Sequence, residues 1–166
     1  MTFYNKQVPD GTYCITGYKG HETHVDFPNT YTITIINDSV FKGHTEIESM
    51  DIPDSVTQIG GFVIEGCTNL KTLKLPPNLQ DMWQYAFTRT SLVEIEIPGS
   101  VYAIIPFTFN ASKDLKKVVI NEGTRRIDAW AFKDCTGLTD VYLPASLTDI
   151  NDKAFEGCGE ITFHRS

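Results

Sequence analysis

The sequence predicts an α/β solenoid: a right-handed stack of about six repeats of 22–25 residues with a parallel β-sheet, short helical turns and an N-terminal β-hairpin cap. Three observations predict it. An aliphatic or aromatic residue followed by proline recurs along the chain, an Ala-Phe pair returns at a matching offset, and the stretch before each proline alternates apolar and other residues. The hairpin is placed at residues 1–24 and the solenoid at 25–166, together one structural domain.

The proline pairs set the period. They are Phe27-Pro28, Ile52-Pro53, Leu75-Pro76, Ile97-Pro98 and Leu143-Pro144, and Ile120-Asn121 fills the one gap. First residues at 27, 52, 75, 97, 120 and 143 are separated by 25, 23, 22, 23 and 23. Self-similarity at a spacing of this size is the signature of a stacked-repeat protein.

Each element has a physical reason. The closing stretch of a repeat, such as "LKTLKL" or "LTDVYL", has the period of two that a strand with one buried face requires. It stops at proline, which removes a backbone donor and pins φ. A second short extended piece follows, carrying Val56, Leu79, Val101 or Leu147 and then Ile59, Met82, Ile104, Ile127 or Ile150. Next comes "AFKDC" or its equivalent, where Ala131, Phe132 and Cys135 fall on one face of an expected helical turn. Phe87, Phe109, Phe132 and Phe155 share the phenylalanine column, with Ile64 and Phe41 as variants, and Cys67, Cys135 and Cys158 share the next with Thr90 and Ser112. One such unit cannot bury its apolar face alone, whereas stacked copies can. The recurring phenylalanine is therefore a packing element that fills the same space in every layer.

These residues carry a family resemblance. "IPDSVTQIGGFVIEGCTNLKTLKLP" at 52–76 and "LPASLTDINDKAFEGC" at 143–158 resemble the BspA-like type of leucine-rich repeat, and "DGTYCITGYKGHETHVDFP" is similar to the hairpin that precedes its first repeat. The likeness spans residues 25–163. Two extra residues near "TIINDSV", one missing near "FTRTSL", Ile64 for phenylalanine and Asn121 for proline are its departures. The resemblance implies a curved leucine-rich-repeat solenoid that binds other molecules, on the surface of bacteria or secreted by them, in some members as an adhesin. It names no ligand.

Composition narrows the partners. A formal charge of -7, a pI near 5.0 and the lack of a basic run argue against nucleic acid, whose binders concentrate Lys and Arg on one face. No window has the length of apolar sequence a membrane span needs, and no signal peptide is visible at the start. The end at "ITFHRS" lacks an evident polar cap, which favours an excised fragment or end-to-end pairing unless the last strand seals the stack.

Two surfaces are candidates for partner binding. The outward face of the main sheet carries a column His24, Ser49, Thr72, Glu94, Lys117, Asp140 beside a column Asp26, Asp51, Lys74, Glu96, Val119, Tyr142. Opposite charges are expected to pair between layers, as Glu94 with Lys117, Lys117 with Asp140 and Asp51 with Lys74. This face is either plainly solvated, each pair adding a few tenths of a kcal/mol, or it reads a polar partner with Tyr142 as anchor. The second surface is an aromatic strip of Phe62, Tyr85, Phe107 and Trp130, the residue before the alanine in four consecutive repeats, with Trp83 and Ile105 two residues earlier in two layers. Exposed, the strip would contact a sugar, a peptide or another copy of the chain; covered, it would be packing.

Other chemistry is weakly supported. His21 and His24 form an H-x-x-H without metal spacing to Cys14 or His44, so no metal and no cofactor is expected. The cysteine column reads as buried thiols, although a Cys135–Cys158 disulfide is geometrically permitted in a secreted chain. Sequons at "NDS" 37–39 and "NAS" 110–112 are common by chance. A glycoside hydrolase is the remote alternative, since Glu94, Glu96 and Asp140 share a face, but no cleft that would separate their pKa values is evident. The reading is thus a non-catalytic recognition module for a protein or glycan, with a structural spacer or a self-associating repeat domain as the alternative.

Overall fold

A computed structural model describes residues 1–166. The chain coils through about seven turns. β1 (Thr2–Gln7) and β2 (Tyr13–Lys19) form an antiparallel hairpin, and every later strand pairs in parallel with its equivalent one coil away. The main-sheet strip consists of β3 (His24–Asp26) beside β5 (Ser49–Asp51), then β8 (Glu94–Ile97), β10 (Lys117–Ile120), β12 (Asp140–Leu143) and β14 (Thr162–Arg165) in that spatial order. A second strip holds β4 (Ile33–Ile36), β6 (Gln58–Ile59) and β7 (Asp81–Met82) on β2, then separately β9 (Ala103–Ile104), β11 (Arg126–Ile127) and β13 (Asp149–Ile150).

Alternation within the strands fills the interior. In β8 the sequence EIEI buries Ile95 and Ile97 and leaves both glutamates in water. Such positions join one cluster of 39 buried residues running the length of the stack. The phenylalanines line up inside it as expected: Phe87 stacks on Phe109 at 5.3 Å, Phe109 on Phe132 at 4.9 Å and Phe132 on Phe155 at 5.1 Å between ring centroids. Ile64 interrupts this row and leaves a void of about 10 Å³ between Phe41 and Phe87. Phe3 and Tyr18 from the hairpin close the row over Phe41, with Tyr18 and Phe41 5.2 Å apart.

The third wall corrects an expectation: it has no helical turns. Between the second strip and the main sheet the chain runs through successive tight turns, and no helix forms anywhere. Two left-handed residues, four positions apart, recur in four consecutive layers. The first is Phe62 (φ 57°), Tyr85 (63°), Phe107 (66°) or Trp130 (62°), and the second is Gly66 (79°), Arg89 (47°), Ala111 (55°) or Asp134 (59°). For a non-glycine residue that conformation costs about 1–2 kcal/mol. The backbone donors repay it by leaving their own coil. Phe109 N–H donates to Ala131 C=O at 2.8 Å and Ala111 N–H to Lys133 C=O at 2.7 Å, where a helix would send both back within the same coil.

The cysteine column has a related role. The Cys67, Cys135 and Cys158 thiols each donate to the carbonyl of the phenylalanine one coil earlier at 3.0 Å, and Ser112 Oγ does the same to Phe87 at 2.6 Å. A small donor is what the column requires, so Ser replaces Cys freely. All four cysteines of the chain are free, and Cys135 and Cys158 are not bonded to each other. Burial pushes the Cys67 thiol up to about 12.

One irregularity bears on function. Residues 71–75 occupy the main-sheet position in their coil but form no ladder, so the strip is split between β5 and β8. The second strip is split one step later, between β7 and β9. There the turn wall continues without a break, through Phe87 N–H to Thr108 C=O at 2.8 Å and Arg89 N–H to Asn110 C=O at 2.9 Å, while the other walls keep only isolated bonds, Val93 N–H to Lys71 C=O at 2.9 Å and Ser100 Oγ to Pro77 C=O at 3.0 Å.

Truncating Phe109, fully buried in mid-row, to alanine is expected to lower unfolding free energy by about 3–5 kcal/mol, read from urea denaturation. Ala111→Gly discriminates the wall's geometry. A helical alanine replaced by glycine loses about 1 kcal/mol, whereas at φ 55° the change is expected to stabilise by about 0.5–1 kcal/mol.

Candidate functional site

Strand register puts the expected main-sheet columns side by side. His24 faces Ser49, Lys117 lies between Glu94 and Asp140, and Val119 between Glu96 and Tyr142. The ion pairs expected there do not close. Lys117 Nζ sits 5.3 Å from the centre of the Tyr142 ring. Asp140 instead takes His164, Oδ1 to Nε2 at 2.8 Å, and Asp51 lies 3.5 Å from His24. Lys74 and Glu94 make no ion pair or side-chain hydrogen bond, and Glu96 accepts only from Asn121 Nδ2, at 2.8 Å. A short acid finds a closer partner in a histidine one layer away than in a long, mobile lysine that must lose rotamer freedom.

Tyr142, the expected anchor, is partly engaged. His164 stacks on one side of its ring at 4.2 Å between centroids and the Lys117 ammonium lies over it as well. The His164 imidazole, with the Thr139 hydroxyl, holds the Asp140 carboxyl below its ordinary value. That is the wrong direction for a proton donor to a leaving group.

Where the ladder is absent the sheet opens into a cleft of about 490 Å³. Thr72, Lys74 and Leu75 line it from the split coil, with Glu94, Glu96 and Lys117 from the next two. Of the expected sheet-face residues it gathers Lys74, Glu94, Glu96 and Lys117. Asp51, Asp140 and Tyr142 stay outside.

The aromatic strip forms, but as a ladder. Phe62, Tyr85, Phe107 and Trp130 stack in order with centroids 5.2, 5.3 and 5.6 Å apart and planes within 14° of parallel. Lys42 lies over the Phe62 ring at 5.2 Å and Lys153 over Trp130 at 5.8 Å. All four rings are half-buried. Their faces are occupied by one another and by two ammonium groups, so edges alone meet solvent. The left-handed backbone at this column aims each ring along the stack.

Trp83 behaves differently. It is 53% exposed, stacks on no other ring, and its indole N–H has no acceptor within the chain. With Gln84 and Tyr85 it walls a groove of about 670 Å³ whose other side is Asn37 and Asp38. Gly60 and Gly61 lie between, contributing backbone alone. A Cβ at Gly60 would meet the Asp38 backbone nitrogen at 2.5 Å, so no side chain fits in that layer.

One cluster escaped the sequence reading. Ligand-type atoms of His24, Asp26 and Asp51 lie within 4.8 Å of one another, with His24 Nδ1 2.7 Å from Ser49 Oγ. His24 and Asp26 alternate on one strand face and Asp51 neighbours Asp26, so the two predicted columns already held the signal. Both carboxylates stand largely in water, where such a trio is ordinarily an ion pair. His21 takes no part in it.

The model for the BspA type leucine rich repeat region matches residues 34–162 in six copies. No curated protein matches. Among solved structures, a T. pallidum leucine rich repeat protein is 24% identical with a TM-score of 0.77, over 98% of this chain and 83% of that one. A leucine rich cell surface protein from Faecalibacterium prausnitzii A2-165 is 24% identical at a TM-score of 0.64, covering 97% of this chain and 52% of that one. A Bacteroides ovatus ATCC 8483 leucine-rich repeat protein is 22% identical at 0.52, over 87% and 45%. This chain spans about half the length of the last two. No helix of the protein is long and apolar enough to cross a membrane. With six copies of the repeat over most of its length, the chain belongs to the BspA type leucine rich repeat family.

Proposed function

We infer that the chain is a non-catalytic recognition module of a bacterial cell-surface or secreted protein, holding a protein or glycan partner on its main-sheet face. The observation that carries this reading is the cleft at the split in the sheet. Lys74, Glu94, Glu96 and Lys117 converge there with no ion pair among them, so their charges remain available to a partner. Such groups, placed in complementary fashion, steer encounter and select partners more than they add affinity. The surface naming of the F. prausnitzii structure is consistent with that setting.

Catalysis has little to work with. Asp140 is held ionised by His164, and a glycosidase pair needs one carboxyl kept protonated. The aromatic ladder supports the fold rather than a ligand, because a sugar or peptide stacking on it would need ring faces that are already taken. A structural spacer or self-associating repeat domain is the alternative reading.

Immobilised protein should retain a member of a panel of purified extracellular-matrix proteins and glycans. Glu96→Lys and Lys117→Glu are each expected to weaken that retention about tenfold, about 1.4 kcal/mol, with the unfolding midpoint unchanged. Retention insensitive to both charge reversals, and to added salt, would remove the main-sheet face as the site. In contrast, Tyr85→Ala should chiefly destabilise, by about 1–3 kcal/mol, without a selective loss of binding. A mass in sedimentation that grows with concentration would favour the self-associating alternative.

A further inference from the structure

The groove beside Trp83 lies away from the main-sheet face and is not used in the reading above, although the inference drawn from it rests on the same view of the chain as a recognition module. Its composition is unusual for this protein. Every other coil places a side chain at the column position where the second strip meets the turn wall: Asn37, Trp83, Ile105, Asp128 and Asn151. The coil between Asn37 and Trp83 has Gly60, and Gly61 follows it. A substituent there is excluded by the approach of the Asp38 backbone, so that coil itself offers only main chain to the gap.

What faces the gap is a set of groups with unused valence. The Asn37, Gln58 and Gln84 carboxamides all line the groove and make no side-chain hydrogen bond within the protein. Asp38 spends Oδ1 on Gly61 N–H at 2.8 Å and keeps Oδ2 free. Trp83 adds an exposed indole and a free N–H. Each carboxamide supplies two donors and an acceptor, which is the complement of vicinal hydroxyls. An indole unpartnered by other rings supplies the flat apolar face on which the C–H side of a sugar ring packs.

Other ligands fit less well. No lysine or arginine lines the groove, and the chain carries a charge of -7, so phosphates and nucleic acid lack a counter-charge. Asp38 repels a uronic or sialic carboxylate. An apolar peptide would strand three carboxamides without partners, at about 1–3 kcal/mol for each group buried. The volume, about 670 Å³, lies within the usual range of small-molecule sites, about 300–1,000 Å³.

We propose that the groove between Asn37–Asp38 and Trp83–Gln84, floored by Gly60–Gly61, is a binding site for a neutral pyranose unit of a glycan, with the sugar ring on Trp83 and its hydroxyls on Asn37, Gln58 and Gln84.

The two tryptophans make this testable directly. In a Trp130→Phe background, which keeps an aromatic ring in the ladder, Trp83 is the one indole left to report. Titration with cellobiose, maltose, lactose and N,N′-diacetylchitobiose is expected to give a saturable change in emission for at least one, at a Kd of about 1 mM, and none with glucuronic acid. Calorimetry on the otherwise unaltered chain should show the same binding. Trp83→Ala should abolish it and Gln58→Ala weaken it about tenfold, with both variants unfolding at the parent temperature. No saturable response to any of the four neutral disaccharides, or binding unchanged by Trp83→Ala, overturns the proposal. Retention of a main-sheet partner is measured on the same samples. Loss of the sugar response with retention intact removes this site alone, whereas loss of retention with the sugar response intact removes the main-sheet reading and leaves this one standing.

Discussion

The structure depends on one constraint: a coil of 22–25 residues cannot satisfy its own backbone, so its N–H and C=O groups must find partners in the coils on either side. Strands meet this in the ordinary way, through parallel ladders. The turn wall meets it too, since Phe109 and Ala111 donate to Ala131 and Lys133 in the following coil. The same demand accounts for the side chains that bond across layers. Cys67, Cys135 and Cys158 serve the carbonyl of a preceding phenylalanine, and Thr124 Oγ1 serves Val101 C=O at 2.7 Å. Stability in such an array is close to a sum over neighbouring interfaces, so each coil is held by its two neighbours and by little else.

That constraint also decides which aromatic rings are free. Because equivalent residues repeat at the layer spacing, any column given aromatic side chains becomes a stack. The inner phenylalanines and the outer Phe62–Tyr85–Phe107–Trp130 set have the same spacing, about 5 Å. A ring escapes stacking only where its column lacks aromatic neighbours. Trp83 does so between Gly60 and Ile105, and Tyr102 is 64% exposed for the same reason, between Gln80 and Arg125. Recognition in this protein therefore falls where the repeat is imperfect: at a glycine pair, at a split strand, at a column that changes character.

Much of the architecture was legible because periodicity is a burial signal. The positions of Phe87, Phe109, Phe132 and Phe155, and the register of Glu94, Lys117 and Asp140, follow from counting alone. The helical turn was misjudged because Ala131, Phe132 and Cys135 have helix-like spacing, and a left-handed φ at Trp130 and Asp134 has no reliable residue signature when the residue is not glycine. Gly43, Gly66 and Gly157 in the second left-handed column were the available hint. On the sheet face, the columns were right and the contacts were not. Which acid meets which base depends on side-chain reach; His164, 22 residues after Tyr142, continues that column by counting, but its bond to Asp140 crosses from one column to the next and had no periodic clue. The cleft itself could not be foreseen, since "LKTLKL" has as good a strand pattern as its neighbours and still forms no ladder.

The split at residues 71–75, together with the break between Asp81–Met82 and Ala103–Ile104, leaves two runs of ladder joined by the turn wall and by isolated bonds from Val93 N–H to Lys71 C=O and from Ser100 Oγ to Pro77 C=O. No strand ladder crosses that step, so fewer regular bonds tie it together than hold the coils within either run. The charged cleft opens at that step, so a molecule seated there would bridge coils that no ladder joins on that face.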